Sequence, residues 1–462
     1  MSPADFARLL AGALPSRVRP APPDTITEPI PDATRDTPPP PPVDGEPSSL
    51  RRAFAALHYR NYRLYWFGQI VSLVGTWMQS VSQPWLVLEL GGTPLQLGLV
   101  LALQFLPSMF LAPFGGVLAD RIDKRKTLMA TQSTALVQAS VLFVLTFTGV
   151  VQIWHIFVLA TVLGLVNAVD MPVRQSFAAE LVPRDDLVNA IALNSASFNL
   201  ARVIGPAVAG VTLALFGAAF NFGLNAVSYL AVLLGLYLMT PSGLYRMARA
   251  ARTPVLESLA EGIRYAWRTP TVLWPLVLLG GVSTFGFNFQ TLVPLFAKQT
   301  LQLGANCYGA LFAAMGVGSL AGSMSLAFAG RQRPLLPMIL GGSAAFVVFE
   351  FLLGLTRSAL PAYGLILIVG FASMLFVNTV NVTVQYGVPH ELRGRVMALY
   401  VTVFAGSSPI GGLFAGGVAQ VWGAPAGFLA GSVVSAAIIL LVAWQLLVRG
   451  RDKAGVPMRM AA

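Results

Sequence analysis

Cysteine is nearly absent: Cys307 is the only one in 462 residues. A single thiol closes no intramolecular disulfide and builds no thiolate metal cluster. Histidine is almost as scarce. The three, His58, His155 and His390, lie far apart in sequence and near the ends of apolar runs, so no metal site is expected from them. Charge is thin as well, with Asp, Glu, Lys and Arg together at 11%. The chain has no G-x-x-x-x-G-K-[ST] phosphate loop, which excludes an internal ATPase of that type. No nucleophile or metal constellation emerges, so an enzyme is not expected and no cofactor is implied.

What is plentiful is apolar surface: 55% of the residues are hydrophobic and the mean hydropathy is +0.69. Apolar runs of about 20 residues, enough for a helix to cross a hydrocarbon core of ~30 Å, recur from residue 63 to residue 448. They predict twelve spans, at 63–90, 95–119, 127–149, 153–180, 188–216, 219–240, 271–297, 306–329, 335–356, 360–387, 395–421 and 425–448. Lipid offers the backbone no hydrogen-bond partners, and a barrel would show short alternating segments, so the spans are read as helices.

The net charge of +11 raises the question of nucleic acid. Placement answers it. The bases fall before the first span and in alternate turns: Arg121 to Lys126, Arg184, Arg246 to Arg268, Arg331 and Arg333, Arg393 and Arg395, and the C-terminal tail. The opposite turns hold only Lys298 and Arg357. This one-sided pattern places both termini in the cytoplasm and makes basicity a matter of membrane topology, with no nucleic-acid partner.

Residues 1–52, with the proline run Pro38 to Pro42, have a composition that cannot bury a core and are expected to be a disordered tail. A six-helix bundle is expected over 53–240, a cytoplasmic linker over 241–270, a second bundle over 271–448 and a basic tail over 449–462. Within the linker, Val255 to Trp267 carries Leu256, Leu259 and Ile263 at helical spacing, predicting an amphipathic helix on the membrane surface. The two bundles read as a repeat. VPRDDLVNAIAL at Val182 matches VPHELRGRVMAL at Val388, 206 positions on, and the same offset pairs Gly205 with Gly411, Gly210 with Gly416 and Gly217 with Gly423. NAVDMPVRQ at Asn167 matches NTVNVTVQY at Asn378 with an offset of 211. The fold class is therefore an all-α membrane protein of two pseudo-symmetric six-helix bundles.

GGVLADRIDKRK, residues 115–126 between the second and third spans, closely resembles the loop signature of the major facilitator superfamily. DMPVRQSFAAELV and NLARVIGPAVAG in spans four and five resemble its enterobactin-exporter and macrolide-efflux branch of proton-coupled exporters, and Gly205, Pro206 and Gly210 look like an antiporter motif. The Arg-then-Gly-rich pattern of drug exporters is not evident in span four. The resemblance implies alternating access of two bundles around a central cavity, with export of a siderophore or drug-like compound against proton entry across a bacterial inner membrane. Import of a small metabolite, or a non-transporting scaffold or receptor, are the other readings. The implied partners are a small-molecule substrate, protons and the bilayer; a monomer is the expected assembly.

Ionisable residues inside a span are functional candidates. Asp170 and Arg174 stand one helical turn apart, where Asn381 and Gln385 hold the matching places in the second half. Arg202 lies seventeen residues after position 185 and Asp170 fifteen before it, which at ~1.5 Å per residue predicts similar heights in a hairpin and one buried cluster of Asp170, Arg174 and Arg202 acting as a proton-coupled switch. Gly116, Asp120, Arg121 and Arg125 are expected to form a gate through contacts across the bundle interface. Gly205, Pro206 and Gly210 are expected to bend and pack span five. Glu89 and Glu350 are placed toward the outer ends of spans one and nine, where a solvated helix-end acid is the expected reading and proton guidance the alternative. The expected substrate cavity combines Gln79, Gln83, Trp85, Gln104 and Phe105 with Asn288, Gln290, Asn378, Asn381 and Gln385, aromatic walls with neutral amides suiting a large amphipathic molecule.

Overall fold

A computed structural model describes residues 54–240, 243–245, 255–328 and 335–452, and in them the chain is helical throughout, without a strand. The expected proline-rich tail, the Arg246 to Arg252 stretch of the linker and the last ten residues lie outside the described residues. The helices are α1 (Arg60–Glu89), α2 (Pro94–Arg121), α3 (Lys124–Phe147), α4 (Ile153–Ala178), α5 (Leu187–Leu238), α6 (Val255–Arg268), α7 (Pro270–Phe285), α8 (Phe289–Leu295), α9 (Ala305–Phe328), α10 (Leu335–Leu355), α11 (Ala359–Tyr386) and α12 (His390–Asp452).

Among the described residues, nine stretches are long and apolar enough to cross a membrane. Two of the nine are of double length, 55 residues at Arg184–Leu238 and 56 at Glu391–Leu446. Each is broken at one residue with positive φ, Gly217 at 77° and Gly423 at 84°, a conformation glycine adopts without a steric penalty. These breaks fall at the junctions between predicted spans. The 30-residue α1 is not among the nine; its buried Asn61, Gln69, Gln79 and Gln83 dilute its apolar character.

Local sequence explains where the rods begin. Thr93 and Gln96 form a reciprocal capping box at the start of α2, with Pro94 in the first turn, so two orphan amides are satisfied where the chain re-enters the apolar layer. Asp123 caps α3 by accepting from the Lys126 amide at 3.0 Å. The predicted span 271–297 is not one rod. The chain breaks between α7 and α8, and the Asn288 side chain donates to the Thr284 and Phe285 carbonyls at 2.9 and 3.0 Å. A break at membrane depth is tolerated because those freed carbonyls find a partner within the protein.

The two halves meet where small residues let backbones touch. A Cβ on Gly309 of α9 would lie 2.3 Å from the Cα of Gly210 in α5, and one on Gly98 of α2 would lie 2.2 Å from the Gly412 carbonyl oxygen in α12. A Cβ on Gly416 would sit 3.2 Å from the Gly98 Cα. These two crossings are images of each other under the sequence repeat: Gly210 and Gly416 are 206 positions apart, Gly98 and Gly309 are 211 apart.

Hydrogen bonds between the halves gather at the end away from the basic turns. Lys298 Nζ donates to the Leu88 carbonyl at 2.9 Å and lies 5.6 Å over the Trp85 ring, Trp85 stacks on Tyr308 at 5.0 Å, and Tyr308 donates to the Val81 carbonyl at 3.0 Å. At the basic end the described bonds stay within one half. Tyr59 donates to Asp186 at 2.6 Å, a bond that pushes the Tyr59 hydroxyl up to about 12. Helix α6 docks on the start of α12, with Glu261 paired to Arg395, Gly262 against the Arg395 backbone, and Tyr265 donating to the Gly387 carbonyl at 3.1 Å.

Candidate functional site

Asp170 is held on three sides. It is 4% exposed, and its Oδ2 takes the Arg174 guanidinium at 2.5 and 2.7 Å from the next turn of α4. Its Oδ1 accepts from Thr131 at 2.6 Å and Gln132 at 2.8 Å, both on α3. Tyr65 of α1 and Tyr229 of α5 share the surroundings of the guanidinium. The ion pair follows from the i,i+4 spacing on one helix. The two neutral donors were not read from the sequence; the apolar run of span three carries Thr131 and Gln132 as adjacent polar residues, and that was the available signal. In the second half Gln385 donates to Asn381 at 2.7 Å, so the matching positions keep a one-turn contact without charge.

Arg202 does not join this cluster. Its guanidinium lies 5.8 Å from the centroid of Trp77, its Nη1 approaches Met374 Sδ at 3.3 Å, and its buried Nε has no hydrogen-bond partner among the described residues. Counting residues along the hairpin says nothing about rotation about the helix axis, and this side chain faces Trp77 of α1, Met374 of α11 and the cavity that α9 also lines. Proline explains the backbone nearby. Pro206 has no N–H to offer the Arg202 carbonyl four residues earlier, and Gly316 of α9 packs against that freed oxygen, where a Cβ would come within 2.8 Å.

Arg202 instead lines a cavity of about 190 Å³ between the halves. Its first-half wall is Trp77, Leu101, Phe105 and Arg202; the second half supplies Phe287, Phe289, Gln290, Phe312, Phe404 and Ser408 among others. Under the repeat, Arg202 corresponds to Ser408 and Phe105 to Gly316. The cavity therefore carries a guanidinium on one side and a hydroxyl at the equivalent place. A smaller cavity of about 50 Å³ adjoins Gln79, Gln83, Gln104, Asn167 and Gln290.

The expected cavity residues thus divide. Gln79, Gln83, Gln104, Phe105 and Gln290 face cavities, although Gln79 is also bound to Gln83, Gln138 and Asn225 in a buried amide network. Trp85, Asn288, Asn378, Asn381 and Gln385 line neither cavity. Trp85 is stacked on Tyr308, Asn288 seals the α7 break, Asn378 donates to Ser323 at 3.1 Å, and Asn381 and Gln385 bond each other. The side chains of Gly116, Asp120 and Arg121 lie outside the described residues. Arg125 donates to the Leu236 and Tyr237 carbonyls at 2.7 and 2.9 Å, a tie within the first half in place of the expected cross-bundle contact. Gly205 packs against Trp77 and Gly210 against Gly309, while the helix keeps helical backbone angles through Pro206. Glu89 accepts from Trp85 Nε1 at 2.8 Å. Glu350, expected at a solvated helix end, is 0% exposed.

Several proteins are similar to this chain in sequence or in architecture. The chain is 24% identical over 373 residues to the staphyloferrin A transporter of Staphylococcus aureus, covering 78% of this chain and 90% of that one. It is 27% identical over 379 residues to the multidrug efflux pump Tap of Mycolicibacterium fortuitum, covering 79% and 90%. It is 26% identical over 359 residues to the enterobactin exporter EntS of Escherichia coli, covering 77% and 85%. Among solved structures, a bacterial homologue of the human lysosomal transporter Spinster, inward-facing and unoccupied, superposes with a TM-score of 0.64 at 16% identity, covering 88% of this chain and 98% of that one. The model of the transmembrane secretion effector family matches residues 51–458. The chain therefore belongs to the transmembrane secretion effectors of the major facilitator superfamily, a multi-pass membrane transporter and not an enzyme.

Proposed function

We propose that the chain exports a small amphipathic organic molecule, a siderophore or drug-like compound, by alternating access coupled to proton entry, with α1 the first of twelve spans and both termini in the cytoplasm. The observation that carries the reading is the aromatic cavity between the halves, capped at one end by the Lys298 and Tyr308 bonds to α1. Cargo enters from the basic, cytoplasmic end and leaves when the Lys298 end opens. Asp170 is the proton-binding candidate: protonation removes the charge that holds Arg174, freeing a guanidinium where α3 and α4 meet and shifting the balance between two packings of the bundle. Siderophore and drug cargoes follow the names of the similar transporters, and export follows the same likeness.

Inverted vesicles energised with an acidic interior test it, comparing uptake of a siderophore and of a cationic dye. Uptake of one compound, abolished by a protonophore and by Asp170→Asn, is the expected result. Gradient-driven uptake that survives Asp170→Asn returns Asp170 to packing. Absence of gradient-driven uptake of either compound removes the export reading for these cargo classes.

A further inference from the structure

Arg202 is a cation in the wrong place for a structural ion pair. Its guanidinium offers five N–H donors, yet its contacts are a ring face and a thioether, and Nε has no partner among the described residues. An arginine held inside a membrane protein normally finds a carboxylate or backbone carbonyls, because an uncompensated charge there is costly. Asp170 is not available: its oxygens are taken by Arg174, Thr131 and Gln132. No described residue lining the cavity is acidic. A fixed positive charge facing an aromatic space is a receptor for negative charge.

The geometry points to Arg202 as the anchor for an anionic group on the transported molecule, so that the central cavity selects amphiphiles carrying a carboxylate, phenolate or catecholate and disfavours cationic ones. This rests on the reading of that cavity as the transport site. The guanidinium sits against Trp77, which orients the fork without consuming its donors. Met374 is a weak acceptor that an anion displaces readily. Around the anchor, Phe105, Phe287, Phe312 and Phe404 provide ring faces for the apolar body of the cargo, and Ser408 supplies a hydroxyl group on the second half, while the neighbouring Ser407 hydroxyl donates to the Phe404 carbonyl at 2.6 Å. Because Arg202 is on the first half and Ser408 holds the equivalent place on the second, an anion bound between them spans the boundary that must rearrange during transport.

The test is equilibrium binding to the purified full-length protein in lipid nanodiscs, using three naphthalene probes that differ only in their polar group: a carboxylate, a carboxamide and a methylammonium. Charge-assisted hydrogen bonding predicts about tenfold tighter binding of the carboxylate than of the carboxamide, with the methylammonium weakest. Arg202→Gln is expected to bring the carboxylate to the level of the carboxamide while carboxamide binding persists, and Arg202→Lys to keep part of the preference. Met374→Glu retains Arg202 but supplies it with a carboxylate, and is expected to erase the preference in the same way; it decides the matter should Arg202→Gln fail to fold. A carboxylate preference that survives both changes overturns the assignment, as does equal or stronger binding of the methylammonium probe to the wild type, or no carboxylate binding at all. Binding is read without a gradient, so charge selection in nanodiscs with no uptake in vesicles would sink proton-driven export and leave the anion anchor standing.

Discussion

Asp170 and Glu350 are both buried carboxyl groups, and they differ in what surrounds them. Asp170 has a guanidinium and two neutral donors, so removing its charge leaves Arg174 stranded; Asp170→Asn is expected to cost roughly 3–5 kcal/mol, the range for breaking one partner of a buried pair. The second half shows how the same two positions work without charge, through the Gln385 to Asn381 bond. Asp170→Asn with Arg174→Gln copies that arrangement and is expected to recover most of the lost stability in detergent melts. A double variant no more stable than the single one would show that Arg174 is held by something other than Asp170. Glu350 is the opposite case, 0% exposed with neither oxygen hydrogen-bonded among the described residues. Replacing an unsatisfied buried group by an apolar one of similar shape relieves a penalty of about 1–3 kcal/mol, so Glu350→Met is expected to raise the melting temperature, and a fall would reveal a partner for the carboxyl. The sequence made the Asp170 and Arg174 pair legible because four-residue spacing fixes a shared helix face. It misplaced Arg202 and Glu350 because height in the membrane can be counted along a chain, whereas the face a side chain presents to a neighbouring helix depends on packing across elements far apart in sequence.

Helices that meet through glycine have no slack. At the α5 and α9 crossing the atoms nearest an added Cβ are backbone, the Cα of Gly210 and the Pro206 carbonyl oxygen, neither of which can move aside like a flexible side chain. Gly309→Ala is therefore expected to separate the halves there and to lower the yield of monodisperse protein on size exclusion, whereas Gly364→Ala, with nothing within 4 Å of its added Cβ, is expected to behave as wild type. Equal behaviour of the two variants would mean that the α5 and α9 contact does not hold the halves together. Most elements were legible as apolar runs of membrane length, because lipid forces each run to satisfy its backbone within a helix. The α7 to α8 break was not, since Asn288 repairs it with a side chain and no proline or glycine pair separates it from the uninterrupted rods elsewhere. The turns at Gly217 and Gly423 were placed correctly by composition, yet each is so tight that the rods on either side run on almost without a loop.

Across the whole molecule, the paired offsets of 206 and 211 describe two halves that meet at equivalent crossings, and the asymmetries lie at the proposed switch and the proposed anchor: Asp170 and Arg174 against Asn381 and Gln385, Arg202 against Ser408. What the repeat does not contain is the state of the transporter, because which end is closed depends on a few contacts between halves. Among those contacts are Lys298 to Leu88 and Tyr308 to Val81, and the only cysteine of the chain, Cys307, stands beside them, partly exposed. This makes the native protein its own reporter of opening, with no other thiol to remove. Lys298→Ala deletes one hydrogen bond and one cation over Trp85, a loss of about 0.5–1.5 kcal/mol that raises the open population by roughly two- to tenfold when the closed state dominates. A membrane-impermeant maleimide applied to intact cells is expected to label Cys307 faster by that factor in Lys298→Ala than in wild type, while Lys298→Arg stays near the wild-type rate. Unchanged labelling in Lys298→Ala would mean that these bonds do not hold the end shut. Labelling of Cys307 only in inverted vesicles would place that end in the cytoplasm and reverse the orientation inferred from the basic turns.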